Sequence, residues 1–242
     1  MNDIIEDEIV FEIEVVKKNK KSIYNSINFT QSQSHGLFWD NEIREKVFGL
    51  PPCKNDTTKY DISCQDNKFN NLENISIKTS GNNNIDCGDI LRFFNGDFKK
   101  KYTIILIKYL QIENKKCILE ILEMDYNMEL RNYLFGTITE EILKNYVSYI
   151  HSIPHGPVPQ CIKENYKNIK NELQKTHYMN INISPKVDSK SQRRVQCSIT
   201  NVNKLVQQFP NIIISYTKSN IIRGIEITGT INSEPRKRNK KM

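Results

Sequence analysis

The 242-residue chain contains no alanine, and glycine, proline and arginine are scarce beside asparagine, lysine and isoleucine. That bias is the codon signature of an AT-rich genome, such as a large DNA virus, a low-GC bacterium or a protist. It lowers the weight of the lysine count, since lysine can be present for codon reasons. Long apolar runs are missing as well. None approaches the ~18 residues needed to span a bilayer, and the longest, YTIILI at 102–107, reads as a buried strand. The N-terminus, MNDIIEDEIVFEI, is acidic and alternating where a signal peptide is basic and then apolar. An intracellular protein with no membrane attachment is expected.

The six cysteines, Cys53, Cys64, Cys87, Cys117, Cys161 and Cys197, never fall in Cys-x-x-Cys spacing and have no paired histidines nearby. Neither a zinc site nor a disulfide framework is suggested, and free thiols in a reducing compartment are the default. The histidines are too scattered for a ligand set: His151 and His155 stand i,i+4, but Pro154 interrupts the helix that would make the spacing useful. Formal charge is +7, and the tail PRKRNKKM at 235–242 holds Arg236, Lys237, Arg238, Lys240 and Lys241, so the rest of the chain is only mildly basic. Such a tail is expected to be disordered and to bind nucleic acid through counterion release, to direct the protein to a nucleus, or merely to solubilise it.

Residues 59–94, KYDISCQDNKFNNLENISIKTSGNNNIDCGDILRFF, are the most informative. An isolated aspartate, Asp61, precedes a strand in which Asn74, Ser76, Lys78 and Ser80 share one face and Ile75 and Ile77 the other. Hydrolysis of a phosphodiester needs a carboxylate to hold Mg²⁺ and a lysine beside it, so that water is activated and charge on the pentavalent phosphorus is neutralised. Asp61 and Lys78 are the candidates. Asp61 with Ser76-Ile77-Lys78 resembles the motif of the PD-(D/E)XK superfamily of Mg²⁺-dependent nucleases, in which an Asp on one strand and a (Glu/Asp)-x-Lys triplet on the next bind metal and water.

Ser76 departs from that motif, and the resemblance implies a relocated carboxylate, as in restriction endonucleases with Ser-x-Lys. Read as a helix, 86–94 places Asp89 and Arg92 on one face, with Ile90, Phe93 and Phe94 inward. Asp89 is then the relocated carboxylate and Asp86 the helix N-cap. Upstream, a helix from about Phe38 gives Trp39, Ile43 and Val47 one apolar stripe. Gly36-Leu37-Phe38-Trp39-Asp40 is similar to the superfamily's first helix, whose acid completes the metal site. Asp40 is the better match and Glu42 the reserve.

Strands are expected at 101–110 and 115–125, and a helix at 138–151 capped by Thr137 or Thr139. Pro154-His155-Gly156-Pro157-Val158-Pro159 is the clearest break. Beyond it come a polar helix at 162–177, a strand at 180–185, and a ribbon with Val195, Cys197 and Ile199 inward and Arg194, Gln196 and Ser198 outward. Arginine and glutamine are major-groove readers of guanine and adenine, so the outward face is a candidate base reader. Lys190 and Arg193 are the candidate phosphate grips, and Gln192 completes the expected DNA-binding set.

The expected fold class is α/β: a restriction-endonuclease-like core with a central mixed sheet flanked by helices. The expected domains are a catalytic core at 1–153, a DNA-recognition region at 160–233 packed on it, and the tail at 234–242. The implied activity is Mg²⁺-dependent cleavage of double-stranded DNA at a short sequence, with Asp61, Asp89 and the Ile77 carbonyl on the metal, Asp40 direct or through water, and Lys78 on the attacking water. A homodimer and a cognate methyltransferase are implied partners. The alternatives are a repair or junction-resolving nuclease, or a DNA-binding protein on a decayed nuclease scaffold.

Overall fold

The computed structural model describes residues 34–52, 59–188 and 192–233. Lys190, the basic tail and the N-terminal segment lie outside the described residues. The described residues open with α1 (Ser34–Glu42), which widens into a π-helical turn at Ile43–Phe48 and stops at Gly49 in the left-handed region, φ 71°. As expected, Trp39, Ile43 and Val47 form its buried stripe. The strands β1 (Glu73–Ser80), β3 (Lys101–Ile112) and β4 (Lys115–Asp125) make up most of a mixed sheet, with β1 at its edge. β1 and β3 run parallel, and β3 and β4 antiparallel. The sheet order is β1-β3-β4-β10, with β7 also on β4; β7 is Ile213–Thr217 and β10 is Thr230–Asn232.

Period-2 alternation divides this sheet between two cores. Ile75, Ile77, Ile105, Ile107 and Ile121 pack under the α1 stripe, together with Ile222 and Ile227. Tyr102, Ile104, Leu106, Leu122 and Met124 face the larger core on the other side. That core is closed by helices α2 (Ile90–Phe94), α3 (Met128–Phe135), α4 (Glu140–Ser152), α5 (Gln160–Thr176) and α6 (Val202–Gln208), and by a three-stranded sheet. Its strands are β2 (Ile85–Asp89), β6 (Arg193–Ile199) and β5 (Asn182–Val187), in the order β2-β6-β5. β5 contains Pro185 and lies at the edge, where a missing N–H costs no ladder bond. Among the described residues no helix is long and apolar enough to cross a membrane, and Cys64, Cys87, Cys117, Cys161 and Cys197 are free thiols.

Two expectations are corrected. Residues 86–94 are not one helix: β2 runs to Asp89, with a bulge between Asp86 and Gly88 where Gly88 adopts φ 75°, and only one helical turn follows. Glycine takes the left-handed conformation without steric cost, and the extra residue of the bulge keeps this stretch in the strand where the i,i+3 spacing suggested a helix. Nor does the proline-rich stretch divide the described residues into two bodies. β6 pairs with β2, and β7 and β10 pair with β4, so strands from the C-terminal third complete both sheets.

A short hairpin, β8 (Ile221–Ile222) and β9 (Ile225–Glu226), packs Ile222 into the core under α1. Its turn residues Arg223 and Gly224 both have positive φ, 50° and 81°, as a two-residue type I′ turn requires. Arginine is an unusual choice there, and its guanidinium supplies the reason. It donates to Glu73 at 2.9 and 2.8 Å and to Glu123 at 3.1 and 2.9 Å. Burial alone raises the Glu73 carboxyl, but hydrogen bonds from Arg223, Thr103 and Asn67 outweigh it and hold the group below the usual range. Beyond the hairpin, Thr228 donates N–H and Oγ1 to the Glu42 carboxylate at 2.9 and 2.6 Å, and Trp39 Nε1 donates to the Thr228 carbonyl at 2.8 Å. Removing Arg223 leaves two buried carboxylates facing each other. Arg223→Ala should therefore cost about 3–5 kcal/mol, read as a lower urea midpoint at unchanged slope.

Candidate functional site

β1 is the outer strand of its sheet, so half of its backbone groups need partners from elsewhere. Ile75 and Ile62 exchange N–H···O bonds of 2.9 and 3.0 Å in an isolated antiparallel bridge. One ladder position further on, the partner of Ile77 N–H is not backbone but Asp61 Oδ2, at 2.7 Å. Lys78 Nζ stands 3.6 Å from the same oxygen, with both side chains partly exposed. Within a strand a residue's N–H and C=O point to the same edge, so the Ile77 carbonyl also faces this side. Arg44, on the π-helical turn, donates to the Asp61 carbonyl and fixes that backbone from below.

Asp40 approaches from α1. Its Oδ1 is enclosed and has no hydrogen-bond partner. Burial, then the neighbouring Asp61 charge, push its carboxyl up to about 7, against the pull of Arg44 and Lys78. Two carboxylates and a lysine from three separate stretches of sequence thus meet at the edge of β1. The close seat of α1 depends on Gly36, where a Cβ would come within 3.3 Å of Thr79 Oγ1. The reserve acid Glu42 is used elsewhere: it is buried, capped by Thr228 and paired with Lys46.

Ser76, at the position of the motif's missing carboxylate, is buried with its hydroxyl 3.1 Å from the Tyr102 hydroxyl. Asp89 does not join Asp61 and Asp40. Its Oδ1 accepts the Arg92 N–H at 2.8 Å and caps α2, the role expected of Asp86. Asp86 instead sits in β2 opposite Ser198, its Oδ1 on the Gly88 N–H at 2.9 Å. The exchange follows from the bulge, which delays the helix by one turn. Among the described residues no three His, Cys, Asp or Glu side chains form a metal-holding group.

On β6 the outward parity is as expected: Val195, Cys197 and Ile199 are buried, Arg194 is exposed, and Gln196 and Ser198 are half-buried on the other face. Arg193 is a correction. It is 8% exposed, and its guanidinium donates to the carbonyls of Ile153, Asp188 and Gln192 at 2.9, 2.7 and 2.8 Å, and also to those of Pro154 and Gly156. Every donor direction is occupied by backbone, so it holds the turn at 153–156 rather than a phosphate. Gln192 is exposed, with its N–H on Asp188 Oδ1 at 2.9 Å. A groove of about 290 Å³ borders the outward face of β6, lined by Gln196 and Ser198 and, from the end of β1, by Thr79 and Ser80, which follow Lys78 in sequence.

A divalent cation fits the edge of β1 on one observation, the enclosed Asp40 oxygen left without a partner beside a second carboxylate. Asp40, Asp61 and the Ile77 carbonyl are the available ligands. Mg²⁺ suits so sparse a set, because it keeps several waters and takes one or two carboxylates. Arg44 was not singled out in the sequence, where nothing marks it off from other helical arginines. Comparison with protein-family models, with curated proteins and with solved structures finds no match to this chain.

The raised Asp40 carboxyl has a measurable consequence. Below about pH 4 it is protonated folded or unfolded and costs nothing. Between about pH 4 and 7 the unfolded chain releases the proton first, so this group's penalty on the fold grows, and it is complete above 7. Metal-free Asp40→Asn should therefore be more stable than wild type at pH 8, by about 1–3 kcal/mol, and equal to it near pH 4. Mg²⁺ should raise the wild-type melting temperature and leave that of Asp40→Asn unchanged. Thermal melts with EDTA and with Mg²⁺ at both pH values check this.

Proposed function

We propose that the protein is a Mg²⁺-dependent endonuclease that cuts double-stranded DNA at a short sequence, on a restriction-endonuclease-like core of the PD-(D/E)XK type. The observation that carries this reading is the meeting of Asp40, Asp61, Lys78 and the Ile77 backbone on the outer edge of β1. The mixed sheet with a parallel β1–β3 pair, and a groove lined by the last residues of β1 and the polar face of β6, support it.

In this mechanism Asp40, Asp61 and the Ile77 carbonyl would hold Mg²⁺, which would supply an acidified water and stabilisation of charge on the phosphoryl oxygens. Asp61 is kept in place by the Ile77 N–H and, through its backbone, by Arg44. The Lys78 ammonium, partly screened from solvent beside Asp61, orients the attacking water and offsets negative charge developing on the phosphate. In-line displacement then leaves 5′-phosphate and 3′-hydroxyl ends. A homodimer cutting both strands and a methyltransferase protecting the host sequence belong to the same proposal. A decayed nuclease that only binds DNA is the second reading, favoured by Ser76 being tied to Tyr102 where the motif has a carboxylate.

Incubation with genomic DNA and Mg²⁺ separates these: discrete bands support the proposal, a smear indicates a nuclease without sequence preference, and intact DNA supports the second reading. Asp61→Asn and Lys78→Ala should each lower the cleavage rate by at least about 10²–10³ while leaving DNA binding largely intact. Asp89→Ala should instead cost about 1 kcal/mol of stability, as loss of a helix cap, and retain cleavage. Full activity in Lys78→Ala would remove the assignment of the site.

A further inference from the structure

The outer face of the β2-β6-β5 sheet is polar throughout and graded in charge. Along β6 and β5, Arg194 stands directly opposite Lys186, Gln196 opposite Ser184, and Ser198 opposite Asn182, while on the other side Ser198 faces Asp86. Arg194 and Lys186 are both exposed, and like charges facing across an antiparallel pair repel. Neither has a carboxylate partner among the described residues. An anion seated between them removes that repulsion. At the opposite end Asp86 is exposed, and with Oδ1 on Gly88 N–H its Oδ2 remains an open acceptor.

The wall of the groove is the tight loop at 81–84. The Ser80 hydroxyl lies 2.8 Å from the Asn82 carbonyl and 2.6 Å from the Asn84 carbonyl. Asn82 Oδ1 accepts the Asn84 N–H at 3.0 Å, and Asn84 Oδ1 the Asn201 N–H at 3.3 Å. Both carboxamide oxygens are thereby used inside the protein, and both carboxamide nitrogens remain as donors on a fixed frame. Thr79, Ser80, Asn84, Asp86, Lys186 and Gln196 all line the groove. Ser80 is two residues beyond Lys78 on the same face of β1, a distance of about 7 Å, or about two base-pair steps at 3.4 Å each.

We propose that this face reads duplex DNA immediately beside the bond that is cut. The Lys186–Arg194 pair holds a backbone phosphate, and Asp86 accepts an exocyclic amino group from a base edge, cytosine N4 or adenine N6, with Gln196 and Asn84 completing the contact. The inference rests on the nuclease reading and adds to it the position of the read base, within about three nucleotides of the cut, and two residues, Asp86 and Lys186, that determine specificity and grip.

The test digests a library of duplexes carrying a random 12-base-pair segment with the full chain and Mg²⁺, then sequences the ends produced. Wild type should leave a base bias within three positions of the cut. Asp86→Asn, which keeps the acceptor for Gly88 N–H, should reduce the preference at one of those positions roughly tenfold. Lys186→Ser should keep the bias, weaken binding to all duplexes alike, and lower the salt slope of binding by about one. Cutting by wild type with no bias near the ends, or a bias unchanged in Asp86→Asn, overturns this inference and leaves the nuclease reading standing. Absence of cutting by wild type overturns both.

Discussion

An edge strand must satisfy the backbone groups that no neighbour covers, and on β1 this constraint brings the candidate site together. Ile62 covers Ile75 with a single antiparallel bridge, and the chain then turns away before it can cover Ile77. The Asp61 carboxylate takes the place of the missing strand. A side chain held by a backbone amide has a fixed position, and that position is beside Lys78, whose own direction is set by strand alternation. Had a full strand paired there, a carbonyl would occupy the space and no charge would be available at the edge.

The third member, Asp40, arrives by a longer route. α1 is pressed onto the sheet by Trp39, Ile43 and Val47, and its angle is fixed at the far end by Thr228, which binds Glu42 and Trp39. Thr228 follows the hairpin that Arg223 anchors between Glu73 and Glu123. A buried carboxylate next to another is tolerated because packing at both ends of the helix leaves it nowhere to go. Stability is given up at Asp40 and recovered in the ion pairs that Arg223 makes with Glu73 and Glu123, as is usual where a site needs charge in a confined place.

Much of this was legible in the chain. Alternation in Asn74-Ile75-Ser76-Ile77-Lys78 correctly divides β1 between its two faces, the Trp39-Ile43-Val47 stripe gives α1, and Val195-Cys197-Ile199 gives the inward face of β6. These signals are local and periodic. What failed was set by single events or by distant partners. The bulge at Gly88 turned a helical spacing into a strand and moved the cap from Asp86 to Asp89. A rare arginine pair suggests a phosphate grip at Arg193, but its partners include the carbonyls of Ile153 and Pro154, and no local pattern reports them. The proline-rich break suggested a boundary because turn chemistry marks where an element ends, not whether the next one returns to the same sheet.

The guanidinium of Arg193 also bears on how the molecule can be dissected. Saturated by backbone carbonyls from both the 153–156 turn and the 188–192 segment, it acts as a rivet through what looks like a linker. A fragment ending at residue 153 would keep β2 but lose β6 and β5, which pair beside it over the larger core, and a fragment beginning at 160 would keep the Asp188 and Gln192 acceptors of Arg193 but lose those of Ile153, Pro154 and Gly156. The chain is accordingly a poor donor of modules: neither half can be transplanted alone, and a split version would regain a whole only when both pieces meet.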